Sequence, residues 1–207
     1  MAAARVRRGR DEAARAVARF LDALLPPGAR RAEDLRETPA RVAEAFRRDL
    51  LDGYGRDPEK LLAGGIPHRG EGLVAVTHID FHAVCPHHLL PYRGLAHVAY
   101  VPGGRVVGFG ALAQLVDCFA HRLVIEEELA REVAESLVRF LGASGAACIL
   151  EAEQLCLTVR GERRRGARAH AQAFAGQMES DRGLQRRVLS LFAAKRARSG
   201  ARRGRGG

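Results

Sequence analysis

Residues 73–101 read LVAVTHIDFHAVCPHHLLPYRGLAHVAYV and carry the pattern that decides the fold. Residues 73–81 and 94–101 are rich in β-branched and apolar side chains, and turn residues follow at 102–104. Both segments are therefore predicted strands. Between them stands Cys85-Pro86-His87-His88, the most informative group of side chains in the chain.

The cysteines and histidines of this group indicate a metal site. Thiolate and imidazole are ligands that zinc prefers, and Cys85 and His88, with the distant Cys156, supply three of them. The CxxC pairs common in structural zinc sites do not occur in the sequence, and three protein ligands are typical of a catalytic site with one position left for water. On spacing alone the alternative stays open, with buried cysteines and plain loop histidines.

Composition narrows the class of protein. A chain of 207 residues with 47% hydrophobic residues predicts one packed domain with appendages. The sequence contains no apolar run of about 18 residues, so no membrane helix is predicted. The basic N-terminus lacks the apolar core of a signal peptide. Four scattered cysteines do not resemble a disulfide framework, so we expect a cytoplasmic protein with free thiols.

The net charge of +10 is concentrated at the two ends of the chain. The first ten residues contain four arginines and the last thirteen contain six basic residues, so the two ends together account for all ten excess positive charges. A nucleic-acid partner is one interpretation, but no aromatic residue interleaves the charges to stack on bases. We therefore predict a basic N-terminal arm and helix at 1–30, a catalytic domain at 31–194 and a disordered basic tail at 195–207.

Periodicity places the elements in the order strand, strand, helix, helix, strand, strand, behind N-terminal helices. Predicted helices cover 13–25, 38–51, 111–121, 125–141 and 181–194. Predicted strands cover 73–81, 94–101, 146–153 and 155–160. Thr38 is the predicted N-cap of the second helix and Asp181 that of the last helix. Cys118 and Cys148 lie within apolar patterns and are predicted core residues.

Several separate stretches agree in order and spacing with one enzyme family. They are Glu37-Thr38-Pro39-Ala40-Arg41-Val42, Cys85-Pro86-His87-His88-Leu89, Val98-Ala99-Tyr100-Val101-Pro102, Arg122 with Glu127-Glu128-Leu129, and Cys156 with Arg160-Gly161. Between residues 35 and 194 the chain thus resembles GTP cyclohydrolase I, a zinc hydrolase of the tunnelling fold. The resemblance implies an α+β fold, with a four-stranded antiparallel sheet and two helices on one face. It also implies a homo-oligomer of two pentameric rings, which suits a small sheet because its strand edges need covering.

The resemblance also assigns the chemistry. Zinc would bind Cys85, His88 and Cys156, and His87 would donate and accept protons, as imidazole does near neutral pH. GTP and water would be the substrates. Hydrolytic attack at C8 of guanine would open the imidazole ring and release formate, and reclosure would give 7,8-dihydroneopterin triphosphate.

Three further residues match binding positions of the family. Glu127 would accept two N–H bonds from the guanine edge, and Arg160 would bind the triphosphate. Arg41 would reach a neighbouring subunit's site. Taken alone, Glu127 is better explained as a solvated carboxylate at a helix start, and each arginine as a surface residue.

The departures from the family pattern concern phosphate and proton handling. Gln154 stands where the family has a histidine of the proton relay, and Ala111 and Gln114 replace a lysine and an arginine. Pro86 replaces an acidic residue, and an arginine-rich loop at 163–168 replaces a threonine-rich segment. Two functions therefore stay open. One is a GTP cyclohydrolase with an altered phosphate pocket; the other is a paralogue that keeps fold and zinc but acts on another purine or pterin, or serves as a non-catalytic partner.

Overall fold

The computed structural model describes residues 2–29, 33–70, 72–161 and 163–200, with backbone only at 2–11, 34 and 193–200. The chain divides after Asp52 into two compact units. The first unit contains the N-terminal helices, and the second contains the sheets and the remaining helices.

The elements are numbered here in chain order. The helices are α1 Ala2–Leu24, α2 Glu33–Arg36, α3 Thr38–Ala45, α4 Pro58–Ala63, α5 Phe109–Ala120, α6 Glu126–Ser136, α7 Leu155–Thr158 and α8 Arg182–Gly200. The strands are β1 Ile66–Pro67, β2 Val74–Val84, β3 Pro91–Val101, β4 Arg105–Val106, β5 Gly145–Gln154 and β6 Ala169–Gly176. Single π-helical turns extend α3 to Leu50 and α6 to Leu141.

The main sheet is antiparallel, with strand order β2-β3-β5-β6. Alternate side chains point to opposite faces of a strand, so the sheet separates two apolar layers. One layer packs residues such as Tyr100, Cys148 and Leu150 with the apolar sides of α5 and α6. The other packs Ala99 and Ala147 with α8. The predicted α+β class, antiparallel sheet and helix pair are confirmed.

One predicted strand is wrong. Residues 155–160 form the short helix α7 and the turn after it, and the fourth strand is β6. The alternation of Leu155, Leu157 and Val159 imitates a strand, yet Leu157 and Val159 are exposed. The arginine-rich segment predicted as a loop at 163–168 is the connection between α7 and β6.

The helix ends test the predicted caps. Asp181 accepts hydrogen bonds from the backbone N–H groups of Gly183 (2.8 Å) and Leu184 (2.9 Å), as predicted for a cap. Thr38 is the first residue of α3 rather than its cap, because the cap position is Glu37, whose side chain accepts no capping hydrogen bond. Of the predicted disordered basic tail at 195–207, residues 195–200 instead continue α8, and residues 201–207 lie outside the described part of the chain. None of the described helices is both long and apolar enough to cross a bilayer.

Candidate metal centre

The turn between β2 and β3 holds the Cys-His group in place. The backbone N–H of Cys85 donates to the carbonyl of Leu90 (2.9 Å), and that of Leu89 donates to the carbonyl of Cys85 (2.9 Å). Leu89 closes the turn with a φ of 53°, which few residues other than glycine adopt. Cys85 is buried at the strand end, whereas His87 and His88 project from the turn and are exposed.

Strand pairing brings Cys156 to the same end of the sheet. Tyr92, at the start of β3, pairs with Gln154, the last residue of β5, and the chain then turns into α7. Each of Cys85, His88 and Cys156 offers one ligand atom, and these three atoms all lie within 4.8 Å of one another. The Sγ of Cys85 is 3.8 Å from Nδ1 of His88. The three ligands predicted from the sequence are thus brought together.

The chemistry of this donor set fits a zinc ion. Burial raises the pKa of the Cys156 thiol, and the neighbouring Cys85 raises it further, while Arg160 opposes the shift. Two thiolates side by side repel each other unless a cation lies between them, and zinc binds thiolate and imidazole together. Cys118 and Cys148 are fully buried in the core, as predicted, and belong to no described group of three possible ligands.

His87 lies beside the cluster as a separate imidazole. Its Nδ1 is 3.7 Å from Sγ of Cys85, and its ring stands edge-on to that of His88, with the two centroids 6.2 Å apart. Because His87 is exposed and is not one of the three clustered ligands, its ring is available for proton exchange with a bound molecule.

The start of α6 lies next to the same strand end. The backbone N–H of Val124 donates to the carbonyl of Val84 (3.3 Å), which carries the first turn of α6 toward the centre. The predicted substrate-binding residue Glu127 is exposed there, whereas Glu126 is buried, with 3% of its surface accessible. Nε2 of Gln154 donates to Oε1 of Glu126, and Oε1 of Gln154 lies 3.8 Å from Sγ of Cys156.

Glu126 and Tyr92 are the neighbours of the centre that sequence reasoning missed. Tyr92 is buried and donates its hydroxyl to the carbonyl of Val124 (2.9 Å). Burial raises the pKa of Tyr92, and the negative charges of Glu126, Cys85 and Glu127 add to this shift. A signal for Glu126 did exist. It precedes the apolar Leu129 by three positions, so it falls on the buried face of α6.

Comparison with known proteins agrees with this geometry. Residues 13–193 match the sequence profile of GTP cyclohydrolase I. The chain belongs to the GTP cyclohydrolase I family. The matched region includes the three residues of the Cys-His cluster and the neighbouring His87.

Curated relatives in this family are similar over most of the chain. The GTP cyclohydrolase 1 of Chromobacterium violaceum is 47% identical over 146 residues, which cover 70% of this chain and 70% of that protein. That of Ralstonia nicotianae is 46% identical over 160 residues, covering 77% and 75%. That of Streptococcus sanguinis is 38% identical over 177 residues, covering 86% and 95%.

The two arginines expected to bind substrate, Arg160 and Arg41, lie in different units of the chain. Arg160 is exposed just after α7, and its charge acts on the thiol of Cys156, so it lies near the centre. The arginines at 163, 164, 165 and 168 are exposed in the loop before β6. Arg41 belongs to the N-terminal unit, where it pairs with Glu37, and its part in a neighbouring site stays a prediction.

Two further histidines, His121 and His170, are not among the clustered ligands. His121 follows α5 and is buried, with its ring centroid 4.3 Å from that of His82, and its carbonyl accepts a hydrogen bond from the backbone N–H of Gly53 (3.0 Å). His170 is exposed on β6, opposite Glu151 in the sheet register.

Proposed function

We propose that the protein is a zinc-dependent GTP cyclohydrolase that converts GTP and water to formate and 7,8-dihydroneopterin triphosphate. The observation that carries the proposal is the cluster of Cys85, His88 and Cys156 with His87 beside it, in a chain of this family. The free thiols suit the reducing cytoplasm, where we place the protein and its pterin synthesis.

The metal site provides the hydrolytic chemistry. Zinc, when bound by Cys85, His88 and Cys156, supplies Lewis acidity that activates water near neutral pH. The burial of Cys85 at the strand end and the closed turn after it hold two of the ligands in a fixed geometry. His87 then accepts and returns protons as the C–N bond of the guanine imidazole ring breaks.

Binding of GTP would use the exposed groups around the centre. Glu127 offers a carboxylate that accepts two N–H bonds from one edge of guanine, a pattern that also selects this base. Arg160 supplies positive charge beside Cys156 for the triphosphate. The exposed arginines of the loop before β6 add charge that compensates for Ala111 and Gln114, which lack it.

A second function is favoured by one specific observation. Gln154, which has no titratable proton, occupies the position between Cys156 and Glu126. A paralogue that binds zinc but acts on a different purine or pterin, or that assists another subunit, would fit a centre with fewer proton-transferring groups.

The test is an assay of the purified, zinc-loaded chain with GTP. We expect stoichiometric formate and a fluorescent pterin after oxidation. His87→Ala should retain zinc but lose about 10²–10⁴-fold in turnover, which is the usual contribution of a general acid–base group. His68→Ala is the matched control, since His68 is an exposed histidine in the connection between β1 and β2 and is not among the clustered ligands. Zinc-loaded protein that never releases formate from GTP would favour the paralogue.

A further inference from the structure

Glu126 combines two properties that rarely occur together. It is 97% buried, and its Oε2 accepts no hydrogen bond from the described residues. Carboxylates this deeply buried are normally paired, because the loss of hydration is otherwise uncompensated. Its other oxygen, Oε1, accepts from the amide of Gln154.

The Gln154 side chain joins this carboxylate to the metal centre. An amide has a donor end and an acceptor end, and an ionised carboxylate only accepts. The NH₂ end of Gln154 must therefore face Glu126 while Glu126 is ionised. The carbonyl end then faces Cys156, with Oε1 3.8 Å from Sγ. In the metal-free chain the Cys156 thiol also donates to this carbonyl. A zinc-bound Cys156 would be a thiolate that cannot donate, so the charge on Glu126 would then be what keeps the amide in this orientation.

We propose that Glu126 is a positioning residue, whose ionised carboxylate holds the Gln154 carbonyl toward the metal centre and whose protonation lets the amide turn over. The ionised state presents a hydrogen-bond acceptor to an N–H or O–H group of a bound purine. The protonated state has an O–H that can donate to Oε1 of Gln154, which allows the NH₂ end to face the centre instead. The proposal rests on the proposed function only for the nature of the bound molecule.

The surroundings of Glu126 make its protonation accessible. Burial raises the pKa of Glu126, and the charge of Glu127 raises it further, while the Gln154 hydrogen bond and His170 on β6 oppose the shift. Tyr92 on β3 also faces it, and its hydroxyl is committed to the carbonyl of Val124. Protonation is therefore favoured at a higher pH than for an exposed glutamate.

The test is a double-mutant cycle on the zinc-loaded chain, with formate release measured as a function of pH. Glu126→Gln and Gln154→Ala should each lower turnover by about 10–100-fold, as loss of a group that orients a metal centre does. The double variant should be no slower than Gln154→Ala, because Glu126 acts only through Gln154. The step that Glu126 contributes to the acidic side of the profile should also be absent in Glu126→Gln. Effects that multiply, or an unchanged profile in Glu126→Gln, would overturn the proposal.

A second readout needs neither metal nor substrate. Because the folded-state pKa of Glu126 is raised, its ionisation weakens the metal-free fold as pH rises from the unfolded value through the folded one. Glu126→Gln lacks this loss, so its melting temperature should gain on the wild type as pH increases. Glu128→Gln is the control of opposite sign: the hydrogen bond from Arg131 lowers the pKa of Glu128, so this variant should lose melting temperature relative to the wild type as pH increases. A melting difference that does not change with pH overturns the proposal, even if the native protein proves inactive on GTP.

Discussion

At the scale of single residues, the four cysteines divide by what surrounds each of them. Cys85 and Cys156 share a cluster with His88. Cys148 is enclosed by apolar side chains, and this burial raises the pKa of its thiol, which disfavours the thiolate form that binds a metal. Cys85→Ala and Cys156→Ala should each lose most of the bound zinc, because two remaining ligands hold the ion weakly. Metal content of the purified variants, measured by atomic emission, checks this.

Cys118→Ala and Cys148→Ala are the matched controls for zinc content. Both remove a buried thiol of the same size, at positions outside the cluster. Each should keep one zinc per chain, with only a modest loss of stability. Full zinc content in Cys85→Ala or Cys156→Ala would contradict the assignment of the centre.

The ligand set was predictable from the sequence because residue type alone restricts what binds zinc. The environment of Glu126 was harder to predict, since three consecutive glutamates read as one solvated helix start. Only the phase of α6 separates them: Glu126 lies on the face of Leu129, and Glu127 and Glu128 lie outside it.

At the scale of elements, the predicted strands differ in how strongly their side chains favour a sheet. β2 and β3 are rich in valine and aromatic residues, which favour a sheet, and both strands were correctly predicted from the sequence. β6 reads AHAQAFAG, and its buried positions are alanines, which are weak strand formers. The stronger alternation at 155–160 therefore drew the prediction to a segment whose apolar side chains are in fact exposed.

Close pairing of β3 with β5 depends on Gly94. A Cβ there would lie 2.0 Å from the carbonyl oxygen of Glu151 and 2.7 Å from Cα of Ala152. Both are backbone atoms of the neighbouring strand, so the strands must separate to admit a methyl group. Gly94→Ala should lower the free energy of unfolding by about 1–3 kcal/mol, the usual cost of overpacking. Thermal unfolding of the variant measures this.

Gly110→Ala is the control of opposite sign. Gly110 lies in α5, and an added Cβ meets no atom within 4 Å. Alanine favours a helix over glycine by up to about 1 kcal/mol, so this variant should melt at or above the native temperature. If Gly94→Ala melted as Gly110→Ala does, the close approach of β3 and β5 would be refuted.

At the scale of the whole molecule, the sheet ends in two strands that each have one neighbour in the described structure. Among the described residues, β2 pairs along its length with β3 and has only an isolated bridge between Val84 and Leu123 on its other edge, while β6 pairs with β5. Unpaired strand edges are normally covered or joined to another chain. Large exposed side chains, such as Ile125 and Val159, also remain near the metal centre. These features support the proposal of a tunnelling fold assembled in rings.

We expect the purified protein to be a homo-oligomer, with a mass about ten times the 22.5 kDa of one chain if two pentameric rings form. Light scattering at micromolar concentration measures the mass, and hydrogen exchange tests how the subunits join. If rings close by edge-to-edge pairing, outward amides of β2 and β6 acquire partners and exchange slowly, although the single chain pairs them on one side only. The inner strand β3 is the reference, because it is paired on both sides within one chain. A stable monomer, or an oligomer whose outer strands exchange rapidly, would contradict ring closure through these edges.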